Sequence, residues 1–119
     1  MRAAIVLLAA AWALPARANR VVALGGALTE TVLALGAEGA LVGIDDSARA
    51  LENAPKLPSV GYYRKFSAEG VLALRPTQVL ALDQAGPAAA LSQLKAAKVP
   101  VEVLPAEPSV AVAKQRIAR

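Results

Sequence analysis

The sequence contains no cysteine and no histidine. Disulfide scaffolds, thiol chemistry, zinc sites built on Cys and His, and Ser-His-Asp triads are therefore excluded. Aromatic residues make up only 3% of the chain, so its two tyrosines stand out. Charge is also sparse, at 18% of residues against 56% apolar, and an apolar fraction of that size rules out an intrinsically disordered chain. The 13 Lys and Arg outnumber the 9 Asp and Glu, giving a net charge of +4, but they are scattered singly and form no stripe. That distribution argues against a nucleic-acid partner. A length of 119 residues suffices for one domain with one core.

What is present begins with an export pattern. Met1 and Arg2 give a positive start, residues 3–14 are uncharged and apolar, and Pro15-Ala16-Arg17-Ala18 supplies a helix breaker followed by Ala-x-Ala. This is the organisation of a secretory signal peptide occupying residues 1–18, with cleavage expected after Ala18. The apolar run is shorter than the roughly 20 residues needed to span a bilayer, so no stable membrane insertion is expected once the leader is removed. Loss of Arg2 and Arg17 leaves 11 basic against 9 acidic residues, a net of +2.

From Arg20 onward, short β-branched runs alternate with alanine- and leucine-rich stretches at helical spacing. That alternation predicts an α/β, Rossmann-like lobe with a mostly parallel sheet flanked by helices. Strands are expected at residues 21–24, 41–44, 77–82 and 99–104, the last interrupted by Pro100. A helix opening near Thr29 would present Leu28, Val32 and Leu35 on one face and end at Gly36 in a left-handed cap. A second helix would take Ser67 as N-cap and stop at Arg75-Pro76. A third would carry Pro87 in its first turn, bury Leu91 and Leu94, and place Lys95 and Lys98 at the negative end of its dipole. Residues 48–58 are too mixed in character for a regular element, and residues 109–119 resemble the start of one more helix.

Three features carry candidate chemistry. Gly25-Gly26 stands between a strand and a helix, where dinucleotide folds hold phosphate, and Asp45 ends the second strand. No third glycine follows until Gly36, so a tight turn at a cleft edge is the simpler reading. Tyr62-Tyr63-Arg64-Lys65 places both tyrosines beside two cations, and on composition alone these residues fill a core or a solvated loop. The alternative is a phenolate, a hard anionic donor for ferric iron, favoured where cations stabilise the charged form. In an extended segment Tyr62 and Arg64 would share one face and Tyr63 the other. Glu69, two residues after Ser67, either complements the helix dipole or presents a carboxylate to a partner.

The phrase Leu57-Pro58-Ser59-Val60-Gly61-Tyr62-Tyr63-Arg64-Lys65-Phe66-Ser67-Ala68-Glu69-Gly70-Val71-Leu72-Ala73-Leu74-Arg75-Pro76 closely resembles the haemin-binding periplasmic proteins of bacterial haem-import ABC transporters. These belong to the class that includes cobalamin and siderophore carriers. The resemblance extends over residues 20–113, including the opening at Gly25 to Glu30 and the Gly86-Pro87 helix start. It implies a periplasmic, monomeric binding protein and no enzymatic activity. By the same resemblance Tyr62 is the axial ligand to ferric haem and Arg64 hydrogen-bonds its phenolate. Tyr63, where relatives often carry methionine, is expected to stack on a porphyrin edge or to serve as a fallback ligand, and Glu69 to dock onto the inner-membrane permease. Residues 48–54 depart from the pattern, because Ala50-Leu51-Glu52-Asn53 stand where relatives often have a Tyr-Pro pair.

The family has two lobes joined by a long helix. Residues 19–108 are expected to form the N-terminal lobe and residues 109–119 the start of the linker helix, so the chain is expected to be truncated. Alternatives within these expectations are a siderophore or cobalamin carrier of the same class, or a fragment without a function of its own.

Overall fold

Four short runs rich in valine and leucine form the strands β1 (Val21–Leu24), β2 (Leu41–Ile44), β3 (Gln78–Leu82) and β4 (Val101–Leu104). They pair in one all-parallel sheet in the order β2-β1-β3-β4, the Rossmann-like α/β arrangement expected from the alternation of elements. The computed structural model describes residues 19–105, so the expected leader (residues 1–18) and linker-helix start (residues 109–119) lie outside the described residues.

The strand order dictates where the helices α1 (Gly26–Ala34), α2 (Ala68–Ala73) and α3 (Ala88–Ala96) pack. Parallel crossovers are right-handed. The step from β1 to β2 runs one way along the sheet, and the steps from β2 to β3 and from β3 to β4 run the other way. So α1 covers one face, and α2 and α3 cover the opposite one. Val22, Leu24, Val79 and Ala81 meet Val71 and Leu94 on the two-helix face, and Val21, Ala23 and Leu82 meet Leu28 and Val32 beneath α1. Burial on both faces is why β1 is apolar without interruption.

Helix ends follow the chain's turn chemistry closely. Beyond α1, Gly36 adopts φ 71°, its N–H donates to the Leu33 carbonyl and that of Ala37 to the Val32 carbonyl, each at 3.0 Å. This is the Schellman closure that the glycine predicts. After α2 and α3 the corresponding positive-φ position is filled by Arg75 (51°) and Lys98 (62°). Lys98 thus lies beyond α3, leaving Lys95 as the cation of its last turn. Ser67 caps α2 as expected, its Oγ accepting from the Gly70 N–H at 2.9 Å. Arg20 closes the other end of α2, donating through Nη2 to the Leu74 carbonyl at 2.7 Å and through Nε to the Arg75 carbonyl at 3.1 Å.

Several expectations are corrected. Helix α1 begins at Gly26 with Gly25 as N-cap, a turn earlier than Thr29, because the glycine N–H groups receive side-chain acceptors from the loop after β2. Thr29 consequently lies inside the helix, fully buried, and its Oγ1 has no hydrogen-bond partner among the described residues. Leu35 is the C-cap of α1 and is half exposed, since the helix has ended before that stripe position is reached. Pro87 is the N-cap of α3 and precedes its first turn. The stretch expected to be irregular after β2 contains a 3₁₀ turn, Asp46–Ala50, followed by irregular backbone and a single parallel bridge between Ile44 and Ser59.

Candidate ligand-binding site

Chains leave the carboxyl ends of β1 and β3 toward opposite faces of the sheet. The gap between them is the topological switch point, where open α/β sheets place their ligands. Both of the chain's tyrosines lie across this edge.

Residues 61–66 are tied down at their backbone. Gly61, at φ 98°, accepts through its carbonyl from the Asp46 N–H at 2.9 Å. Tyr63 donates its N–H to Asp45 Oδ2 at 3.0 Å and accepts at its carbonyl from the Gly86 N–H at 3.0 Å. Asp45 follows β2 and Gly86 follows β3, the two neighbours of β1, so Tyr63 is slung across the carboxyl end of β1. Phe66, buried in the core of the two-helix face, anchors the segment's exit into α2.

Within this frame the two phenols differ. Tyr63 is half-buried and packs against both cores, whereas Tyr62 is 42% exposed at the rim. Their rings meet edge to face, with centroids 4.8 Å apart. Tyr63–Lys65 forms a 3₁₀ turn, so the strand-like alternation that would align Tyr62 with Arg64 does not operate. Arg64 instead donates from Nε to Tyr63 Oη at 3.2 Å, with its Cζ 5.5 Å from the Tyr63 ring centroid, and donates from Nη2 to Gln84 Oε1. The hydrogen bond with Tyr63, followed by electrostatic attraction to Tyr63 and then Tyr62, raises the pKa of Arg64 above its ordinary value. The guanidinium therefore stays a fixed cation beside both phenols. Among the described residues no group of three or more acidic side chains is arranged to hold a metal ion.

The Gly25-Gly26 turn has another occupation. The Gly25 N–H donates to Asp45 Oδ1 at 3.1 Å and the Gly26 N–H to Ser47 Oγ at 2.8 Å. The amides that would cradle a phosphate are therefore already satisfied within the chain, and Asp45 is fully buried. The glycines form a tight turn closed by the chain's own side chains. Asp45 and its contact with Tyr63 are not visible to spacing arguments, although an Asp with Ser two residues on is the pattern of a side-chain-closed turn.

Glu69 lies in the first turn of α2 and is exposed, with no ion-pair partner among the described residues. Because α2 runs against the strands, its N-terminus and Glu69 are on the same sheet edge as Tyr62. A broad depression of about 810 Å³ lies elsewhere, at the amino ends of the strands, lined by Arg20, Arg75, Thr77 and Lys98. It has cations but no aromatic group, and it is remote from the tyrosines. No described helix is long and apolar enough to cross a membrane.

A family model for periplasmic binding proteins matches residues 21–118. The chain belongs to the periplasmic binding protein family. Proteins of this family are transport components, not enzymes. This family member is 37% identical over 101 residues to the vitamin B12-binding protein of Yersinia pseudotuberculosis, covering 84% of the chain and 36% of that protein. Among solved structures it is similar to a periplasmic heme-binding protein from Pseudomonas aeruginosa, with a TM-score of 0.77 and 44% identity over 82% of this chain and 35% of that one. A periplasmic heme-binding protein from Roseiflexus sp. RS-1, in apo form, aligns with a TM-score of 0.76 and 40% identity over 83% of this chain and 38% of that one. The chain thus spans less than two-fifths of the length of these relatives.

Proposed function

We propose that the protein carrying this lobe is the solute-binding component of a haem-import ABC system. It captures ferric haem in the periplasm after export by its cleavable leader and delivers it to an inner-membrane permease. The observation that carries this reading is Tyr62. It is an exposed phenol on the ligand-binding edge of the sheet, beside a fixed cation, in a chain that has neither histidine nor cysteine to offer iron. Phenolate oxygen suits ferric iron, and tyrosine serves as an axial haem ligand. The similarity to two heme-binding structures at 40% identity or above supports the same assignment.

In this reading Tyr62 coordinates the iron, and Arg64, held by Tyr63 and Gln84, supplies a positive charge close to the donor. Tyr63 stacks its partly buried ring against the porphyrin edge. Glu69, exposed on the same edge, meets a basic residue of the permease as the loaded lobe docks. Binding then needs no bond making in the ligand beyond the Fe–O contact, in keeping with a carrier.

Haemin added to the protein is expected to show the charge-transfer absorption of a ferric phenolate complex, and Tyr62→Phe is expected to remove it. An unchanged spectrum in that variant rejects the assignment. The identity to a vitamin B12-binding protein favours a second reading, in which a corrinoid is the ligand and neither Tyr62 nor Arg64 is required. A ligand that binds only the folded state raises the melting temperature by mass action. Stabilisation by cyanocobalamin and not by haemin would select the second reading.

A further inference from the structure

The side chain that organises the candidate site does not touch its open face. Asp45 is fully buried, and no lysine or arginine pairs with it among the described residues. A buried carboxylate without a counter-ion persists only where hydrogen-bond donors surround it. Asp45 has them on both oxygens. Oδ1 accepts from the Gly25 N–H at 3.1 Å, and Oδ2 accepts from the Ser47 N–H at 3.1 Å and the Tyr63 N–H at 3.0 Å. The Ser47 hydroxyl lies 2.9 Å from each oxygen, and its Oγ in turn accepts from the Gly26 N–H at 2.8 Å.

One carboxylate therefore joins the turn after β1, the turn after β2 and the tyrosine segment. Tyr63 sits 18 residues from Asp45 in sequence, and among the described residues its one other backbone tether is the Gly86 N–H on its carbonyl. Tyr62, immediately before it, makes no side-chain hydrogen bond among the described residues; its direction at the rim is inherited from how Tyr63 is held. We propose that Asp45 is a positioning residue for the ligand. It holds the segment carrying Tyr62 in the geometry that coordinates, without contacting the ligand itself.

The chemistry separates this role from general stability. Asp45→Leu keeps a similar branched shape and removes both acceptors, so the Tyr63 N–H loses its partner whichever way the side chain lies. Ser47→Ala is the control: it removes the hydroxyl but leaves the bond from Tyr63 to Asp45 intact. Loss of a hydrogen bond to a charged acceptor corresponds to about a 10-fold or larger change in an equilibrium constant.

The experiment has two readouts on wild type, Asp45→Leu and Ser47→Ala. The first is amide hydrogen exchange without ligand. The expected result for Asp45→Leu is at least about tenfold faster exchange across residues 61–66, with the α3 amides unchanged, and little change in that segment for Ser47→Ala. The second is haemin titration, which rests on the haem reading above. Asp45→Leu is expected to bind about tenfold more weakly and to lose part of the phenolate charge-transfer band, whereas Ser47→Ala keeps both. Unchanged exchange over 61–66 in Asp45→Leu overturns the proposal, as does faster exchange spread evenly over the whole lobe. Full haemin affinity and an unaltered spectrum in a variant with a loosened segment also overturn it. If wild-type protein fails to bind haemin, the haem reading falls, and the localised exchange result alone decides whether Asp45 holds the segment.

Discussion

Replacing Gly25 by alanine tests whether the glycine turn is there for geometry or for a ligand. Gly25 has φ 133° and ψ 128°, a region that residues with a Cβ essentially avoid, and holding one there costs on the order of 1–3 kcal/mol. An added Cβ would stand 2.5 Å from Leu82 Cδ1 and 2.7 Å from its Cγ. Leu82 is 7% exposed within the core beneath α1 and has little room to swing away, so the overpacking adds about 1–3 kcal/mol. The two effects together come to about 2–6 kcal/mol, a large share of the 5–15 kcal/mol typical of a folded domain. The neighbouring Gly26 is the internal control. Its added Cβ would stand 3.2 Å from the Ser47 carbonyl oxygen, so the Ser47 turn must give by a few tenths of an ångström, a cost set against the roughly 0.5–1 kcal/mol by which alanine suits a helix better than glycine. Gly26→Ala is therefore expected to change stability by less than about 1 kcal/mol. Urea unfolding followed by far-UV circular dichroism, with the midpoints compared at constant slope, measures both variants. Equal midpoints for Gly25→Ala and wild type would refute the reasoning, because neither the backbone strain nor the clash would then be real.

Two further substitutions probe the helix ends. Lys98→Gly relieves a left-handed residue that costs roughly 1–2 kcal/mol, partly offset by the greater freedom of glycine in the unfolded chain. The expected result is a gain of about 0.5–1 kcal/mol in the same urea assay, and a loss of stability would contradict it. Ser67→Ala removes the acceptor for the Gly70 N–H and is expected to cost about 1 kcal/mol, measured by thermal melting. No change in melting temperature would mean that the cap contributes nothing.

The four strands were legible because a strand covered on both faces is apolar at every position, as Val21 to Leu24 are, and that signature survives without tertiary context. The closure at Gly36 and the cap at Ser67 were legible for a similar reason: each depends on one residue and its nearest neighbours in the chain. The start of α1 was not legible, since the acceptors that satisfy its first amides come from Asp45 and Ser47, about 20 residues onward. Arg20 was likewise silent in the sequence, because its partners at Leu74 and Arg75 become neighbours only once β1 and β3 pair.

The candidate site divides along the same line. Composition singled out Tyr62, Tyr63 and Arg64 only as aromatic–cation neighbours in a chain with few aromatics, while their roles and that of Glu69 came from the resemblance of residues 57–76 to haemin-binding periplasmic proteins. The sequence also determined the order of elements, since helix and strand periodicities are local properties. Only the tertiary structure decided which phenol is exposed, that Arg64 engages Tyr63 and Gln84, and that Asp45 is buried under the segment and does not face a nucleotide. Those outcomes depend on the carboxyl ends of β2, β1 and β3 being brought side by side, and that proximity arises from sheet pairing between residues far apart in the chain.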